Sequence, residues 1–335
     1  MAISFKKLMR YRGWKVWQIH DMHVCLLTVF YILITDNLFM PFNSLILISS
    51  LGFYFMFGFL INDFFDLPTD IAAGKKRVIQ ELSRRAFIGI ILIIIFISAL
   101  HLLYLNVPSY IIIYSFSYIL ATLYSAPLIG FKRRALTGII VNALIEKGLP
   151  VLAIFFFFHH FALDSLIFTS TAFILQIIEI LTHQIYDYEA DIRTRTNTFV
   201  VSIGKERALR ILNIIVMFSI IFITLLCILI CIKVYYAIFI VIAVFISYSF
   251  IFLFVLKGRL STEETVFPLY LSPFYFLINN AFPLFLALIL SVKHLLNSIF
   301  LLIALYSQYY LLKKILKLTK EKVITRTEIE DSGEE

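Results

Sequence analysis

The chain has 335 residues, of which 61% are hydrophobic, 35 are Phe and only 15% are charged, so a water-soluble fold around one core is excluded. The formal net charge of +8 is spread over short segments between apolar runs, unlike the groove-sized basic patch that binds nucleic acid. The composition therefore predicts an all-α integral membrane protein in contact with the lipid bilayer.

The chain begins with a basic segment, residues 1–19, whose Trp14 and Trp17 indicate an interfacial helix. A bilayer span needs about 20 mostly apolar residues, and such runs recur through residues 20–312, which we predict to be one transmembrane domain. The predicted spans are residues 20–40, 43–61, 86–105, 110–129, 137–157, 165–185, 209–232, 235–256, 266–291 and 296–312. The remaining residues, 313–335, form a charged tail to which we assign no chemistry.

The ninth predicted span contains Pro268, Pro273 and Pro283, so it is either a kinked span or a segment that begins as an interfacial helix. We therefore predict nine or ten spans. Most Lys and Arg residues precede the first span, follow an even-numbered span or lie in the tail. Because such residues accumulate in cytoplasmic loops, both termini are predicted to be cytoplasmic.

The first acidic cluster closes the second span in the sequence INDFFDLPTD, which contains Asn62, Asp63, Asp66 and Asp70. The aspartates are spaced i, i+3, i+7, so a continued helix places them on one face. Pro68 predicts that the helix ends inside the motif and that a turn presents Asp70. A solvated acidic loop is the alternative, but three like charges at the end of a helix need a compensating cation.

The second acidic cluster, Asp187 and Asp191 in YDYEADIRTR, closes the sixth span. Even-numbered spans end at the same membrane face, so the two clusters are predicted to converge there across the interior of the bundle. Oxygen ligands of this kind suit Mg²⁺, which takes one or two carboxylates together with phosphate oxygens and water. Two magnesium ions held in this way clamp a diphosphate, and the apolar surroundings make a lipid diphosphate the predicted substrate.

A polar stripe precedes the second cluster on the sixth span. Gln176, Glu179, His183 and Asp187 follow one another at helical spacing, and ionisable groups inside a span normally face a cavity or a partner. Taken alone, His183 is more often a satisfied core histidine, but its neighbours favour a cavity wall. On the fifth span, Glu146 and Lys147 form an internal ion pair, or Lys147 reaches an anionic ligand; both interpretations stay open.

Basic residues near both clusters fit phosphate binding. Lys75 and Arg77 follow the first cluster, and Arg193 follows the second. They are suited to contact phosphate oxygens, although the charge bias of cytoplasmic loops predicts such residues as well.

Together these motifs resemble the UbiA superfamily of intramembrane prenyltransferases. The NDxxDxxxD motif of that family is matched by Asn62, Asp63, Asp66 and Asp70, its DxxxD motif by Asp187 and Asp191, and a third similarity is LYSAPLIGFKRR, which includes Tyr124. The resemblance implies a helical bundle around a central cavity that opens to the cytoplasmic side. It also implies Mg²⁺-dependent ionisation of a polyprenyl diphosphate and transfer of the prenyl group to a small acceptor.

The residues and the resemblance together predict the following roles. Asp66, Asp187 and Asp191 are catalytic; Asp63, Asp66, Asp70, Asp187 and Asp191 bind two Mg²⁺ ions; Asn62, Lys75, Arg77, Lys147 and Arg193 bind diphosphate; and Tyr124, Gln176, Glu179 and His183 line the acceptor cavity.

The acceptor is left open by the sequence. An aromatic, quinone-pathway acceptor is favoured because it is common in the family. A terpene cyclase of the same fold, and transfer to a glycerol phosphate or a sugar phosphate, are alternatives. A cation transporter is less favoured, because transporters place ion sites near the bilayer midplane rather than at the ends of helices. The oligomeric state is not predicted.

Overall fold

The structure is a computed structural model that describes residues 11–72, 74, 78–194, 196–250, 271–309 and 313. Regular structure in this part of the chain is helical, apart from one isolated bridge between Ala135 and Thr198. The all-α prediction is thereby confirmed. Of the predicted phosphate-binding residues, Lys75 and Arg77 lie outside the described residues, as do Pro268, residues 1–10 and residues 314–335.

The helices follow the predicted apolar segments, and each predicted span overlaps one of them. They are α1 (His20–Thr35), α2 (Pro41–Ala72), α3 (Arg84–Leu105), α4 (Pro108–Ser125), α5 (Ala135–Phe157), α6 (Leu163–Tyr186), α7 (Tyr188–Arg193), α8 (Phe199–Ile203), α9 (Lys205–Lys233), α10 (Ala237–Phe250), α11 (Ser272–Lys293) and α12 (Leu295–Tyr309). Within the described ranges, six helices are long and apolar enough to cross a membrane, namely α2, α3, α5, α6, α9 and α11. The chain is an integral membrane protein.

Helix α2 differs from its prediction because it does not end at Pro68. It continues through the first acidic motif to Ala72. A proline inside a helix removes one backbone hydrogen bond, and its ring crowds the carbonyl four residues earlier. Pro68 lies exposed near the end of the helix, and only one further turn of helix follows it. The motif aspartates therefore all remain on helix α2.

Two spans contain a π-helical turn that the sequence did not reveal. In α5 the turn is Leu144–Gly148, which includes Glu146 and Lys147, and in α11 it is Leu277–Ala281. Such turns insert one residue into an α-helix and occur frequently at functional sites. Both turns carry polar residues into the membrane-spanning part of the protein.

The helices pack so that α5 and α6 lie centrally. Helix α6 packs against α5 and α9, α4 packs against α2 and α5, and α1 packs against α11 and α5. The N-terminal segment is a short 3₁₀ helix, Arg12–Gln18, which lies against α2. There the ring of Trp17 covers Gly52 so closely that a Cβ atom at Gly52 would lie 2.1 Å from it.

A histidine joins α1 to α6 at the face opposite the acidic motifs. His160 Nδ1 lies 2.8 Å from the carboxylate of Asp36, its Nε2 lies 2.8 Å from Asp164, and the Tyr31 hydroxyl donates to Asp164 over 3.0 Å. Partial burial acts to lower the pKa of His160, but the hydrogen bonds to Asp36 and Asp164 outweigh it. The pKa therefore lies above its usual value.

Candidate active site

The first acidic motif meets a lysine from the loop between α4 and α5. Lys132 Nζ forms an ion pair with Asp66 and donates to Asn62 Oδ1 over 3.1 Å, while the Ser125 hydroxyl donates to the same oxygen over 3.4 Å. The lysine supplies the cation that the sequence led us to expect beside these carboxylates. Sequence reasoning did not identify Lys132 itself, although it follows closely after Tyr124 in LYSAPLIGFKRR.

The loop that carries Lys132 is shaped by two glycines. Gly130 has a φ of +56°, a left-handed conformation that favours glycine, and the 3₁₀ turn Phe131–Arg133 follows it. Gly138 on α5 allows the loop to pack closely, since a Cβ atom there would lie 2.7 Å from the carbonyl oxygen of Phe131. This packing brings the lysine to α2.

A cavity of about 290 Å³ opens at this place. It is lined by Asp66, Tyr124, Ser125, Pro127, Ile129, Gly130, Lys132, Arg133 and Arg134. Three basic side chains thus surround one acidic side chain, and Arg and Lys are the usual partners of phosphate oxygens. The cavity is suited to an anionic head group.

Asp63, predicted as a metal ligand, lies in a different environment from Asp66. Its side chain is only 2% exposed, and it accepts a hydrogen bond of 2.9 Å from the Tyr11 hydroxyl in the N-terminal segment. Asp70 lies further along the same helix and is partly exposed. The structure therefore brings Asn62 and Asp66 to Lys132, and it connects Asp63 to Tyr11.

The second acidic motif lies where α6 passes into α7. Asp187 is exposed at the end of α6, and Asp191 on α7 accepts a hydrogen bond of 3.2 Å from the Thr198 hydroxyl. The exposed Arg193 donates from Nε to the backbone carbonyl of Glu189 over 3.2 Å.

A single stretch of backbone connects the two motifs. Thr198 forms the isolated bridge with Ala135, and three residues before Ala135 stands Lys132, which contacts Asp66. Three residues of extended chain span at most about 11 Å. Lys132, which contacts the first motif, and Thr198, which contacts the second, are thus held close together.

The donor atoms at this face fit magnesium. In the part of the chain that the structure describes, no group of three or more His, Cys, Asp or Glu side chains is arranged to hold a metal ion. Magnesium, however, usually takes one or two carboxylates and completes its shell with substrate phosphates and water. The carboxylates of Asp66, Asp70, Asp187 and Asp191 and the amide oxygen of Asn62 are ligands of the type that it prefers.

The polar stripe on α6 becomes more exposed towards the second motif. Gln176 is 3% exposed and the Glu179 side chain is 26% exposed, while the side chains of His183 and Asp187 are both exposed. The stripe therefore leads from the buried interior to the face that carries the acidic motifs.

Lys147 lies at the inner end of this stripe and is paired differently from the prediction. Its ammonium lies 2.5 Å from Glu179 and 3.7 Å from Asp21, and its side chain is 1% exposed. Of the two interpretations left open, the pair between Glu146 and Lys147 is not the one that forms: Lys147 pairs with Glu179 and Asp21. The contact of Lys147 with diphosphate stays a prediction.

Glu146 is bound by amides instead. Asn142 Nδ2 donates to its Oε1 over 2.8 Å, and Gln176 Nε2 donates to its other oxygen. The Tyr275 hydroxyl of α11 donates to Glu179 over 2.9 Å. The sequence did not predict the roles of Asp21, Asn142 and Tyr275. Their partners lie on other helices, or the π turn determines which side chain they contact.

The fold and this site together define a helical membrane protein whose carboxylates and basic side chains lie at one end of its spans. The chain belongs to the UbiA prenyltransferase family, whose model matches residues 24–277. It is therefore a membrane-bound prenyltransferase. No curated protein sequence matches it.

Solved structures share the fold. A UbiA homolog from Archaeoglobus fulgidus bound to Cd²⁺ has a TM-score of 0.57 and 20% sequence identity, and the match covers 90% of this chain and 98% of the homolog. The same homolog bound to GPP and Mg²⁺ has a TM-score of 0.54 at 20% identity and covers 88% and 99%. A structure of digeranylgeranylglyceryl phosphate synthase has a TM-score of 0.50 at 15% identity and covers 90% and 99%.

Proposed function

We propose that this protein ionises an allylic prenyl diphosphate with the help of Mg²⁺ and transfers the prenyl group to a small acceptor of the aromatic, quinone-pathway type. The family membership supports the transfer, and the neighbours bound to GPP or DMAPP together with Mg²⁺ support the donor and the metal. Of the alternatives named from the sequence, transfer to a phosphate-bearing molecule differs in the acceptor, a cyclase uses no acceptor, and a cation transporter releases no diphosphate.

The observation that carries the proposal is the cavity beside Asp66, where Lys132, Arg133 and Arg134 face a motif carboxylate. In our proposal these basic side chains hold the phosphate oxygens, and Lys132 leaves Asp66 for the diphosphate when the substrate binds. Asn62 and Asp66 would then be free to hold magnesium, two ions in this proposal, and the metal would supply positive charge to the departing diphosphate.

The second motif completes the site from the other side. We assign Asp187 and Asp191 to the same head group, because the backbone between Lys132 and Ala135 connects the two motifs. We further propose nine or ten spans and a central cavity that opens to the cytoplasmic side, with both termini on that side. The increase in exposure along α6 supports the direction of the opening.

The experiment measures magnesium-dependent release of diphosphate from GPP by purified protein in lipid nanodiscs. We expect Asp66→Ala and Asp187→Ala each to abolish release while the elution profile and helical content of the protein stay unchanged. Glu189→Ala is the matched control, because this exposed carboxylate lies between Asp187 and Asp191. Full activity in both aspartate variants would refute the proposed site.

Product analysis separates transfer from cyclisation. We expect diphosphate release to rise when an acceptor is added, and mass spectrometry to detect a prenylated acceptor. A hydrocarbon product formed without any acceptor would instead identify a cyclase.

A further inference from the structure

Two carboxylates of the acidic motifs accept hydrogen bonds from hydroxyl groups to which the proposed reaction gives no role. The Tyr11 hydroxyl donates to Asp63 over 2.9 Å, and the Thr198 hydroxyl donates to Asp191 over 3.2 Å. Both donors come from outside the motifs, and both side chains are buried. Each acidic motif therefore has a hydroxyl partner from another part of the fold.

The chemistry of these partners suits the support of a metal ligand. A hydroxyl group is neutral, so it directs a carboxylate without cancelling the negative charge that attracts a cation. One such bond uses one of about four acceptor positions of a carboxylate, so it does not by itself block metal binding. In metal sites the carboxylate ligands are themselves hydrogen-bonded, and loss of such a partner lowers metal affinity about 10- to 100-fold. Tyr11 and Thr198 are thus suited to orient these ligands without competing for them.

Asp63 lies beside the cavity that we assign to the diphosphate. It precedes Asp66 by three residues on α2, so the two carboxylates are neighbours on the same side of the helix, and Asp66 lines the cavity. Lys132, the partner of Asp66, is a cation and competes with a metal ion, whereas Tyr11 is neutral. The hydrogen bond from Tyr11 can therefore persist when a metal ion binds.

Packing fixes the position of Tyr11. Its ring meets that of Trp14 in a T-shaped contact, with centroids 5.3 Å apart and planes at 81°. It also lies so close to Gly13 that a Cβ atom there would be 2.4 Å from the ring. The 3₁₀ helix that follows is held on α2 where Trp17 covers Gly52. The hydroxyl group therefore has a defined direction towards the first motif.

Thr198 is fixed at the start of α8. Its side-chain oxygen accepts a hydrogen bond of 3.4 Å from the backbone N–H of Val201 and thereby caps the helix. A hydroxyl group donates one bond and accepts others at the same time, so the cap leaves the proton for Asp191. The backbone bridge to Ala135 holds the residue from the other side.

From these contacts we propose that Tyr11 and Thr198 are positioning residues of the diphosphate site. Each hydroxyl group holds the carboxylate that it contacts, Asp63 or Asp191, in the orientation that binds magnesium. The inference rests on the proposed function and adds two residues to it, one of which brings the N-terminal segment into the site. In this inference neither residue touches the substrate, and both act through the aspartates.

The first experiment measures how much magnesium the reaction needs. Full-length protein in lipid nanodiscs receives GPP at a series of magnesium concentrations, and release of diphosphate is measured. Tyr11→Phe and Thr198→Val each remove one hydroxyl group with little change of shape, and each is expected to raise the half-maximal magnesium concentration about tenfold. The rate at saturating magnesium is expected to change little, because a higher concentration compensates for weaker binding of the metal.

The second experiment measures binding without reaction. The probe is geranyl S-thiolodiphosphate, in which a sulfur atom replaces the bridging oxygen, so that it reacts far more slowly than GPP. Its affinity is determined by calorimetry at the same magnesium concentrations. We expect magnesium to strengthen binding to the wild type, and each variant to need about tenfold more magnesium for the same increase in affinity.

Tyr31→Phe is the matched control for Tyr11→Phe. It removes a tyrosine hydroxyl that donates to a buried aspartate, Asp164, over 3.0 Å at the face opposite the acidic motifs. We expect the two variants to lose a similar amount of thermal stability, but only Tyr11→Phe to need more magnesium. A purely structural role for Tyr11 would give the two variants the same magnesium requirement.

Thr198 has two controls. Thr198→Ser keeps the hydroxyl group and is expected to restore the magnesium requirement of the wild type. Ser83→Ala removes the side chain that caps α3 through the N–H of Ala86, and it is expected to leave the requirement unchanged. Loss of a helix cap is thereby separated from loss of the bond to Asp191.

Three results would overturn the inference. They are an unchanged magnesium requirement in Tyr11→Phe and Thr198→Val, an equal increase in Tyr31→Phe or Ser83→Ala, and no recovery in Thr198→Ser. An unchanged requirement in one variant alone overturns the assignment of that residue. The two residues lie on separate elements, so each variant reports even if the other does not fold. Failure of the proposed function is distinguishable, because the wild type would then neither release diphosphate from GPP nor bind the analogue more tightly with magnesium.

Discussion

Replacing Lys147 by methionine tests how the buried ion pairs of this lysine with Glu179 and Asp21 contribute to the stability of the fold. Methionine is also long and unbranched, so the change removes the ammonium and leaves most of the volume filled. Glu179 and Asp21 then lose the cation that lies between them. We expect Lys147→Met to lower the free energy of unfolding by about 3 kcal/mol.

The magnitude follows from the two distances. At an effective dielectric constant of about 20, Coulomb's law gives about 7 kcal/mol for 2.5 Å and about 4 kcal/mol for 3.7 Å. The burial of the ammonium offsets a large part of this attraction, and breaking a buried pair typically costs 3–5 kcal/mol. We take the lower end of that range because the Glu179 side chain is 26% exposed and thus partly screened.

The assay is a double-mutant cycle, measured by denaturant unfolding in mixed micelles. Lys147→Met combined with Glu179→Gln is expected to recover at least half of the loss, because the second change removes the charge that the first left uncompensated. Lys205→Met, the same change at an exposed position, is expected to stay within about 0.5 kcal/mol of the wild type. A loss below about 0.5 kcal/mol in Lys147→Met, or no recovery in the double variant, would refute the reasoning.

Two further predictions concern other parts of the fold. Gly52→Ala places a Cβ atom 2.1 Å from the ring of Trp17; we expect the ring to be displaced at a cost of about 1–3 kcal/mol and its fluorescence to shift, and an unchanged spectrum would contradict the packing. His160→Gln tests how the thermal stability of the fold depends on pH. The raised pKa of His160 beside Asp36 and Asp164 stabilises the fold below the unfolded value of about 6.5, and this contribution is lost as the pH rises through the folded-state pKa. The advantage of the wild type in thermal stability over His160→Gln should therefore be largest near pH 6 and shrink towards about pH 8.5; a difference that grows over this range would contradict the assignment.

The sequence was sufficient to predict where the apolar helices lie, and six of those in the described ranges are long enough to cross a membrane. Apolar length determines which segments lie within a bilayer, and the spacing of Asp187 and Asp191 within one turn is a local property. These predictions did not depend on how one helix meets another.

Local rules were less reliable where a neighbouring element decides. Pro68 was expected to end α2, but its position near the exposed end of the helix made the loss of one hydrogen bond tolerable. The assignment of Asp63 to a metal stays a prediction. The structure also shows a hydrogen bond to Asp63 from Tyr11, which lies 52 residues earlier in the chain, and no local pattern reveals such a contact.

The contacts that the sequence did not predict share one physical reason. Lys132 reaches Asp66 because a left-handed glycine and a close approach of the loop to α5 fix its direction. Lys147 turns towards Glu179, 32 residues away, because it lies in a π turn that changes the angular position of each side chain. Both depend on backbone geometry that spacing along the chain does not report.

The length of α2 has a consequence for the path of the substrate. The helix has 32 residues and is about 48 Å long, whereas the hydrocarbon core of a bilayer is about 30 Å thick. Roughly its last dozen residues, which include Asn62, Asp66 and Asp70, therefore extend past the hydrocarbon into the head-group layer. In the proposed function, this position keeps the diphosphate head group of the donor in contact with water while its apolar chain remains in the leaflet.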